Sequence, residues 1–333
     1  MTPALRRLLS AAIALAACAG FEARAAESAP LVLDAKVALG NVRGRIDHLA
    51  VDLNRKRLFV AELGNDSVGV VDLTTGKLQR RIAGLKEPQG VGYVPSVDAL
   101  YAANAGDGSV RIFAGEDYTP AGRIDLGEDA DNVRVDPAAN VVFIGYGAGA
   151  LAAIDPATRK KIADIPLKAH PEGFQLGAGA SQIFVNLPNT RSIAVVDRAS
   201  GQQSAGWPTG KLAGNFPMAL DEASRRVIVV FRNPARLAVF AMANGEKVAE
   251  RETCGDSDDV FMDAQRKRIY VSCGDGFIDA FDAEGTSFSR LARIATERGA
   301  RTSLFIPAMD RLAVAVRATA AEPAAIWLYR TGP

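Results

Sequence analysis

The sequence predicts an all-β fold, a seven-bladed β-propeller of four-stranded blades, and two observations carry that prediction. The first is an internal repeat: seven similar segments begin 41 to 44 residues apart, a period typical of propeller blades. The second is the pattern within each segment, where short β-branched and aromatic runs alternate with polar turns and no helical apolar period is sustained. The segments begin at Arg57, Ala99, Val141, Gln182, Arg226, Arg268 and Arg311.

Each repeat carries the signals of four strands. The central pair is the clearest: in the first repeat, "RLFVA" and "VGVVD" are separated by a turn rich in Gly, Asn and Asp. These runs are apolar almost throughout, as expected of strands covered on both faces. A further run ("HLAVD") precedes the pair and another ("GKLQRRIAGL") follows it. Four strands in each of seven repeats predict the propeller.

The two ends of the chain indicate how the ring closes. The run "LVLDAKVALG" at 31–40 resembles the fourth strand of a repeat, although no first three strands precede it. The last repeat stops after its third strand, "AAIWLYR". We therefore expect the N-terminal strand to complete the last blade, which removes two open sheet edges. Residues 31–331 would then form one propeller domain, and we expect it to be a monomer.

The first 25 residues have the pattern of an export signal. A basic segment, "MTPALRR", precedes the apolar run "LLSAAIALAACAG", and "ARA" (23–25) is a small-residue cleavage site. Residues 26–30 would be a short linker. Within the signal, "LAAC" (15–18) resembles a bacterial lipobox, which would make Cys18 a lipid anchor. Either alternative predicts export, to a periplasmic or secreted location or as an outer-membrane lipoprotein. No apolar run is long enough to span a bilayer.

Cysteine usage and charge narrow the functional classes. Cys254 and Cys273 are the even pair left in an exported chain, so a disulfide is expected, with a two-thiolate metal site as the alternative. Two His and three Cys in the whole chain are too few for a Cys/His-rich zinc module. The net charge of +1 provides no field for nucleic acid, so no nucleic-acid partner is expected.

The segment "LFVAELGNDSVGVVDLTTGK", followed by "GLKEPQGVGYVP", resembles the YVTN repeats of the YncE-like propeller family, and "LYAANAGDGSVRIF" fits the same pattern. The resemblance extends over essentially all of residues 31–331. It implies a bacterial exported propeller that binds a ligand or partner. WD40 repeats are a weaker match, because no Trp-Asp dipeptide ends a third strand.

Most aspartates are explained by turns at the ends of strands. An Asp side chain accepts hydrogen bonds from backbone N–H groups about two residues further on, which stabilises such turns. Gly76 and Gly201 are expected to provide positive φ in turns of the same kind. The eight turn aspartates are Asp52, Asp72, Asp136, Asp155, Asp197, Asp221, Asp263 and Asp282.

The remaining polar residues occupy one column of the repeats, just before each first strand. Because first strands line the central channel of a propeller, this column should converge at one channel mouth. In repeat order its members are Asp47, Gln89, Asp131, Glu172, Phe216, Asp258 and Arg301. The next column begins with His48 and includes Asn132, and Arg45 and His170 lie beside it.

Three hypotheses account for this polar ring. It could bind a small polar molecule or a protein partner, with Arg45, Arg301 and His48 among the binding residues. Asp131, Glu172 and Asp258 could instead hold a divalent cation, for which oxygen ligands favour calcium over zinc. It could also only solvate the mouth. We favour a periplasmic binding protein, with no cofactor or catalytic residue assigned.

The alternative function is a metal-dependent hydrolase similar to the lactonase and gluconolactonase propellers, which hold a divalent ion in the channel. Asp131, Asn132 and Glu172 are of the required chemical type. The chain carries no G-x-S-x-G, H-E-x-x-H or P-loop motif. A catalytic relay through His48 is not expected, because the sequence shows no accompanying nucleophile.

Overall fold

The computed structural model describes residues 29–177 and 181–333, which form seven four-stranded antiparallel sheets. In six sheets the strand order follows the chain. The seventh sheet consists of the last three strands of the chain and the first strand, which pairs with the last one. This arrangement confirms the predicted fold class. The predicted signal peptide (1–25), its lipobox and most of the linker (26–30) lie outside the described residues.

The strands are numbered in chain order, and β1 (Leu31–Gly40) belongs to the last blade. Blade 1 consists of β2 (Leu49–Asp52), β3 (Arg57–Glu62), β4 (Ser67–Asp72) and β5 (Lys77–Ala83). Blade 2 consists of β6 (Pro88–Val94), β7 (Ala99–Asn104), β8 (Ser109–Ala114) and β9 (Thr119–Asp125). Blade 3 consists of β10 (Ala130–Asp136), β11 (Val141–Tyr146), β12 (Ala150–Asp155) and β13 (Lys160–Pro166).

Blade 4 consists of β14 (Phe174–Leu176), β15 (Gln182–Leu187), β16 (Ser192–Asp197) and β17 (Gln202–Pro208). Blade 5 consists of β18 (Ala213–Asp221), β19 (Arg226–Asn233), β20 (Ala235–Ala241) and β21 (Lys247–Glu252). Blade 6 consists of β22 (Ser257–Asp263), β23 (Arg268–Cys273), β24 (Phe277–Asp282) and β25 (Arg290–Ala295). Blade 7 consists of β26 (Ser303–Ile306), β27 (Arg311–Val316), β28 (Ala324–Thr331) and β1.

The helical content of the described residues is limited to single turns. Short 3-10 helices follow strands at Leu63–Asn65, Pro95–Val97, Pro188–Thr190 and Pro307–Met309. Among the described residues, no helix is long and apolar enough to cross a membrane.

The N-terminal strand closes the ring by pairing with the C-terminal strand. β1 runs antiparallel to β28, with Leu31 opposite Thr331 and Val37 opposite Ile326. Leu39 at the end of β1 is fully buried and packs in the same apolar cluster as Leu58 of blade 1. The strand therefore completes blade 7 and also contributes to the contact between the last and first blades.

Apolar side chains fill the spaces between neighbouring blades. Phe59 of blade 1 stacks on Tyr93 of blade 2 with ring centroids 5.8 Å apart, and Val70 and Leu100 are fully buried in the same cluster. Burying one such large apolar side chain contributes about 1.5–3 kcal/mol. Because the sheets are covered on both faces, their central strands are apolar almost throughout.

The turn aspartates take the predicted role. Asp52 Oδ1 accepts a hydrogen bond from the backbone N–H of Asn54 at 2.9 Å, and Asp72 Oδ1 accepts one from Thr74 at 2.8 Å. The other six each accept a backbone N–H two or three residues further on. Gly76 has a φ of 64° in the turn that Asp72 begins, a conformation that favours glycine.

The predicted disulfide is present in blade 6. Cys254, just before β22, is bonded to Cys273 at the end of β23, with the two Cα atoms 5.8 Å apart. Linking two residues 19 positions apart stabilises the folded state by about 3 kcal/mol in the chain-entropy account. The bond fixes the start of β22, where that strand reaches the channel.

Candidate binding site at the channel mouth

The first strand of each blade lines the central channel. β2, β6, β10, β14, β18, β22 and β26 each contact the first strands of both neighbouring blades. The ring residues lie at or near the starts of these strands. One small cavity is accordingly lined by His48, Glu172 and Asp258 of three different blades. Repeat symmetry thus brings together side chains that are far apart in the sequence.

His48 reaches from blade 1 across the channel toward blade 6. Its Nε2 lies 3.8 Å from Asp47 Oδ1, and its Nδ1 lies 3.7 Å from Asp259 Oδ1. Burial alone would lower the pKa of His48, but the adjacent carboxylate of Asp259, with the charges of Asp47 and Asp131, raises that pKa to about 10. The ring is therefore an imidazolium at neutral pH and has no free lone pair to accept a proton.

The side of the mouth between blades 5 and 7 is held by ion pairs. This paired half comprises Arg232, Asp256, Asp258 and Arg301. Arg301 donates to Asp256 Oδ1 at 2.7 Å, and its Nε lies 2.8 Å from Asp258 Oδ2. Arg232 donates to Asp258 Oδ1, and its guanidinium carbon lies 3.7 Å from the centroid of the Phe216 ring. Each charge of the paired half therefore has an opposite charge beside it.

The opposite side of the mouth differs. This open half comprises Asp131, Asn132 and Glu172 of blades 3 and 4. Among the described residues, none forms a hydrogen bond or ion pair with the carboxyl group of Asp131 or of Glu172. Asn132 is 2% exposed and lines the cavity, yet its Oδ1 is buried with no hydrogen-bond partner in the described part of the chain. Such an orphaned acceptor is costly unless something donates to it.

The pKa values of the open half follow from this isolation. Burial raises the pKa of Asp131 to about 8, and the charges of Glu172 and Asp47 add to the effect while His48 opposes it. Burial and the charge of Asp258 raise the pKa of Glu172 to about 7. Both groups therefore titrate near neutral pH. Burial also raises the pKa of Asp258, but there Arg301 and Arg232 oppose the effect.

Three of the predicted binding residues lie on the rim of the mouth. Arg45 donates to Asp47 Oδ2 at 2.6 Å and to Gln89 Oε1 at 3.4 Å. His170 Nδ1 lies 2.6 Å from a backbone oxygen of blade 3 and 3.8 Å from Asp129 Oδ2. Arg45, Gln89 and His170 are outside the set that lines the small cavity. They surround the entrance instead.

The three predicted calcium ligands do not form a ready-made metal site. Within residues 29–177 and 181–333, no group of three or more His, Cys, Asp or Glu side chains is close enough together to hold a metal ion. Asp258 directs its carboxylate to Arg232 and Arg301, away from any joint role with Asp131 and Glu172. A channel-bound divalent cation stays a prediction for metal analysis to test.

Several charged residues of the mouth were not among the predicted site residues, and one of them is Arg134, which lines the small cavity. Asp259 follows Asp258 in the adjacent repeat column, so the alignment held a signal for it. Arg232, Asp256 and Arg317 lie outside the two columns. Arg317 lies near Arg301 of the paired half. Burial and the nearby charges of Arg301 and Arg45 lower the pKa of Arg317. Their roles depend on side-chain reach, which the repeat pattern does not encode.

Comparisons with known proteins indicate the fold and nothing finer. No protein-family model matches the sequence, and no curated protein matches it. The chain is structurally similar to hydrazine synthase of Kuenenia stuttgartiensis, at 16% identity and a TM-score of 0.73, over 83% of this chain and 95% of that one. It is also similar to a chain in the crystal structure of a mitotic checkpoint complex, at 14% identity and a TM-score of 0.77, over 92% and 93%. At such identities the likeness is one of propeller architecture, and the YVTN-repeat resemblance is neither confirmed nor contradicted.

Proposed function

We propose that the protein is an exported, periplasmic binding propeller that holds the protonated amino group of a small polar molecule at the open half of the channel mouth. The observation that carries this proposal is the unshared acceptor set of Asp131, Asn132 and Glu172 beside a cavity. His48 lies between Asp47 and Asp259, and the arginines of the paired half lie against Asp256 and Asp258. The carboxyl groups left over are those of the open half.

The size of the cavity selects the kind of group that it can take. Its volume is about 30 Å³, roughly the share of one water molecule in the liquid. A primary ammonium group is of similar size and carries three N–H donors and no acceptor. Asn132 Oδ1 and the Glu172 carboxylate line this space. The rest of the bound molecule would lie outward, between Arg45, Gln89 and His170 on the rim.

Proton linkage gives the proposal a characteristic pH dependence. Because the pKa values of Asp131 and Glu172 are raised to about 8 and about 7, their carboxyl groups are partly protonated at neutral pH. A primary amine with a pKa of about 10 stays charged throughout this range. Ammonium binding favours the ionised carboxylates, so it releases protons, and affinity should rise as the pH increases from about 6 to about 8.5.

Putrescine is a suitable probe, with 1,4-butanediol as its uncharged counterpart. Isothermal titration calorimetry should detect putrescine and not butanediol, with proton release visible as a dependence of the heat on buffer ionisation enthalpy. Asp131→Asn and Glu172→Gln should each weaken binding about tenfold or more, since a hydrogen bond to a charged group contributes about 1.5–3 kcal/mol. Asp117→Asn, at an exposed turn of blade 2, is the matched control.

Two results would refute the proposed site. One is the absence of saturable putrescine binding anywhere between pH 6 and 9 while the protein is folded. The other is an unchanged putrescine affinity in both open-half variants. Export is tested separately by cell fractionation and mass spectrometry: we expect a periplasmic protein that begins at Ala26, whereas a cytoplasmic protein with an intact N terminus would contradict export. A membrane-bound protein lipidated at Cys18 would establish the lipoprotein alternative.

The metal-dependent hydrolase remains the alternative prediction from the sequence. Asp131, Asn132 and Glu172 supply oxygen atoms, but the fit is incomplete because no third carboxylate or histidine of the described residues joins them. Elemental analysis of the purified protein distinguishes the two functions. Stoichiometric calcium, released by Glu172→Gln with the fold intact, would favour the hydrolase over the amine-binding proposal.

A further inference from the structure

A second and larger cavity lies deeper in the channel. It has a volume of about 350 Å³ and follows the first strands away from the mouth, from His48 at the start of blade 1 to Val51 within β2. We call it the inner chamber. Five residues line both the inner chamber and the small cavity of the mouth and form a partition between the two, which is polar except for one ring: His48, Arg134, Gln175, Asp259 and Phe261. The amine-binding proposal makes no use of this space.

The walls of the inner chamber combine apolar side chains with polar groups. First strands of blades 1, 2, 3, 6 and 7 contribute aliphatic and aromatic side chains to it. Six of these are Leu49, Val91, Tyr93, Val135, Phe261 and Leu304. A volume of about 350 Å³ falls within the range of small-molecule sites, and the lining offers both apolar side chains and fixed polar groups. The chamber therefore has the size and lining for an organic ligand, which the mouth cavity lacks.

Arg134 is the charged group of the partition that is held in place without a carboxylate. Its Nε donates to the backbone oxygen of Phe174 at 3.0 Å, and its Nη1 donates to the backbone oxygen of Val133 at 2.9 Å. Its guanidinium carbon lies 5.5 Å from the centroid of the Phe174 ring. Within the described residues it forms no ion pair, and its Nη2 donates no hydrogen bond. The orientation of the guanidinium is thus set by backbone and ring contacts.

The nearby carboxyl groups act on the charge of Arg134 from a distance and form no contact ion pair with it. Asp259 lies 3.7 Å from the His48 ring and accepts the backbone N–H of Ser303 at 2.8 Å. Asp131 forms no ion pair with Arg134 or with any other described residue. Burial lowers the pKa of Arg134, yet arginine remains charged in proteins. A partly buried cation with no contact ion pair is favourably placed to take an anion beside it.

We propose that the inner chamber binds a small organic carboxylate, whose charged end accepts hydrogen bonds from Arg134 and whose apolar body packs against the chamber walls. Guanidinium–carboxylate hydrogen bonds are among the strongest between side chains and ligands. The preset orientation of Arg134 reduces the entropy lost on binding. The proposal concerns a second site and does not depend on amine binding at the mouth.

Benzoate is the probe that tests this site, because it combines a carboxylate with an apolar ring. Benzamide has the same shape without the charge, and inorganic phosphate has the charge without the apolar body. We expect saturable benzoate binding by calorimetry and saturation-transfer NMR, with benzamide at least tenfold weaker. Phosphate should fail to displace benzoate at equal concentration, because it cannot use the apolar walls.

Two variants locate benzoate within the molecule. Arg134→Gln removes the charge and should weaken binding at least tenfold. Ala50→Leu keeps Arg134 and fills part of the inner chamber, since Ala50 is half-buried on its wall. Ala50→Leu should also weaken benzoate binding. The test therefore stays decisive even if circular dichroism shows that Arg134→Gln is poorly folded. Arg330→Gln, an exposed arginine on β28, is the matched control and should bind as the wild type does.

Four outcomes would overturn the proposal. They are no saturable benzoate binding to the folded wild type, equal binding of benzamide, displacement by phosphate at equal concentration, and unchanged benzoate affinity in Ala50→Leu. Asp131→Asn separates this site from the mouth, because it should weaken putrescine binding about tenfold or more and leave benzoate affinity unchanged. Failure of either probe alone therefore identifies which of the two proposals is wrong.

Discussion

Asp131 and Asp258 occupy equivalent positions in the third and sixth repeats, yet their surroundings are opposite. Each is the second residue of the first strand of its blade, β10 or β22, at the same channel mouth, where Asp131 is buried and Asp258 is partly buried. Asp258 lies against two arginines, Arg232 and Arg301. Asp131 has no ion pair with any described residue. Equivalent positions in a repeat therefore need not have equivalent chemistry.

The difference distinguishes the half of the mouth that has a structural role from the half that is available to a ligand. In the paired half, arginine charges offset the burial of Asp258 and link the loops of blades 5, 6 and 7. In the open half, burial is offset by protonation, because the pKa of Asp131 is raised to about 8 and that of Glu172 to about 7. Charges that are already compensated stabilise the fold, whereas a protonated carboxyl group can exchange its proton for a bound cation.

Breaking the paired half should have the largest effect on stability. Arg301→Gln leaves Asp256 and Asp258 with less compensation, and removing one partner of a buried ion pair costs about 3 kcal/mol or more. We expect a loss of about 3 kcal/mol in the free energy of unfolding, measured by urea denaturation. Arg298→Gln, an exposed residue near Arg301 in the sequence, is the control. A loss below about 0.5 kcal/mol, the size of an exposed pair, would show that the paired half is not structural.

Removing the disulfide sharpens the comparison, because it fixes the strand that carries Asp258. Ser257 of β22 lies opposite Cys273, one of the two disulfide cysteines. The strand that carries Asp131, β10, is held by its backbone hydrogen bonds to β11 instead. Replacing both Cys254 and Cys273 by Ala should lower the free energy of unfolding by about 3 kcal/mol. Putrescine binding at the open half should persist below the lowered melting temperature. Loss of that binding in the folded double variant would contradict the independence of the two halves.

Titration of the open half should give a smaller effect with a defined sign. Between about pH 5 and pH 7 the folded state binds more protons at Asp131 and Glu172 than the unfolded chain does. Their contribution to the free energy of unfolding therefore falls as the pH rises, by about 1.4 kcal/mol per pH unit for each extra proton. Asp131→Asn removes one such proton. Its melting temperature should therefore rise relative to the wild type with increasing pH. An unchanged difference across this range would contradict the raised pKa.

The fold could be predicted from the sequence because the repeat period and strand signals recur seven times and each copy supports the others. The turn aspartates were predictable for the same reason, since Asp52 and Asp72 act on neighbours two residues away. The disulfide followed from the parity of cysteines once the N-terminal pattern had predicted export. Local chemistry and periodicity were sufficient for all three.

The site was predictable only in part. Repeat alignment placed Asp131, Glu172 and Asp258 at one mouth, but it could not show which carboxylate an arginine would reach. Arg232 contacts Asp258 from the end of β19, a strand outside the ring columns. Arg134 reads in the sequence as an ordinary strand residue, and its place in the channel partition appears only when blades 3 and 4 are packed together. Ion pairs and cavities depend on how far side chains extend from one blade to the next, which the repeat alignment does not show.

The most direct test of the account is to measure the pKa values of Asp131 and Glu172 by carboxyl-carbon NMR, with and without putrescine. Spectra of Asp131→Asn and Glu172→Gln assign the two resonances. The account predicts pKa values near 8 and 7 in the free protein and a fall of both when putrescine binds. Ordinary values near 4 in the free protein, unchanged by putrescine, would contradict the claim that the open half is a buried, uncompensated acceptor site.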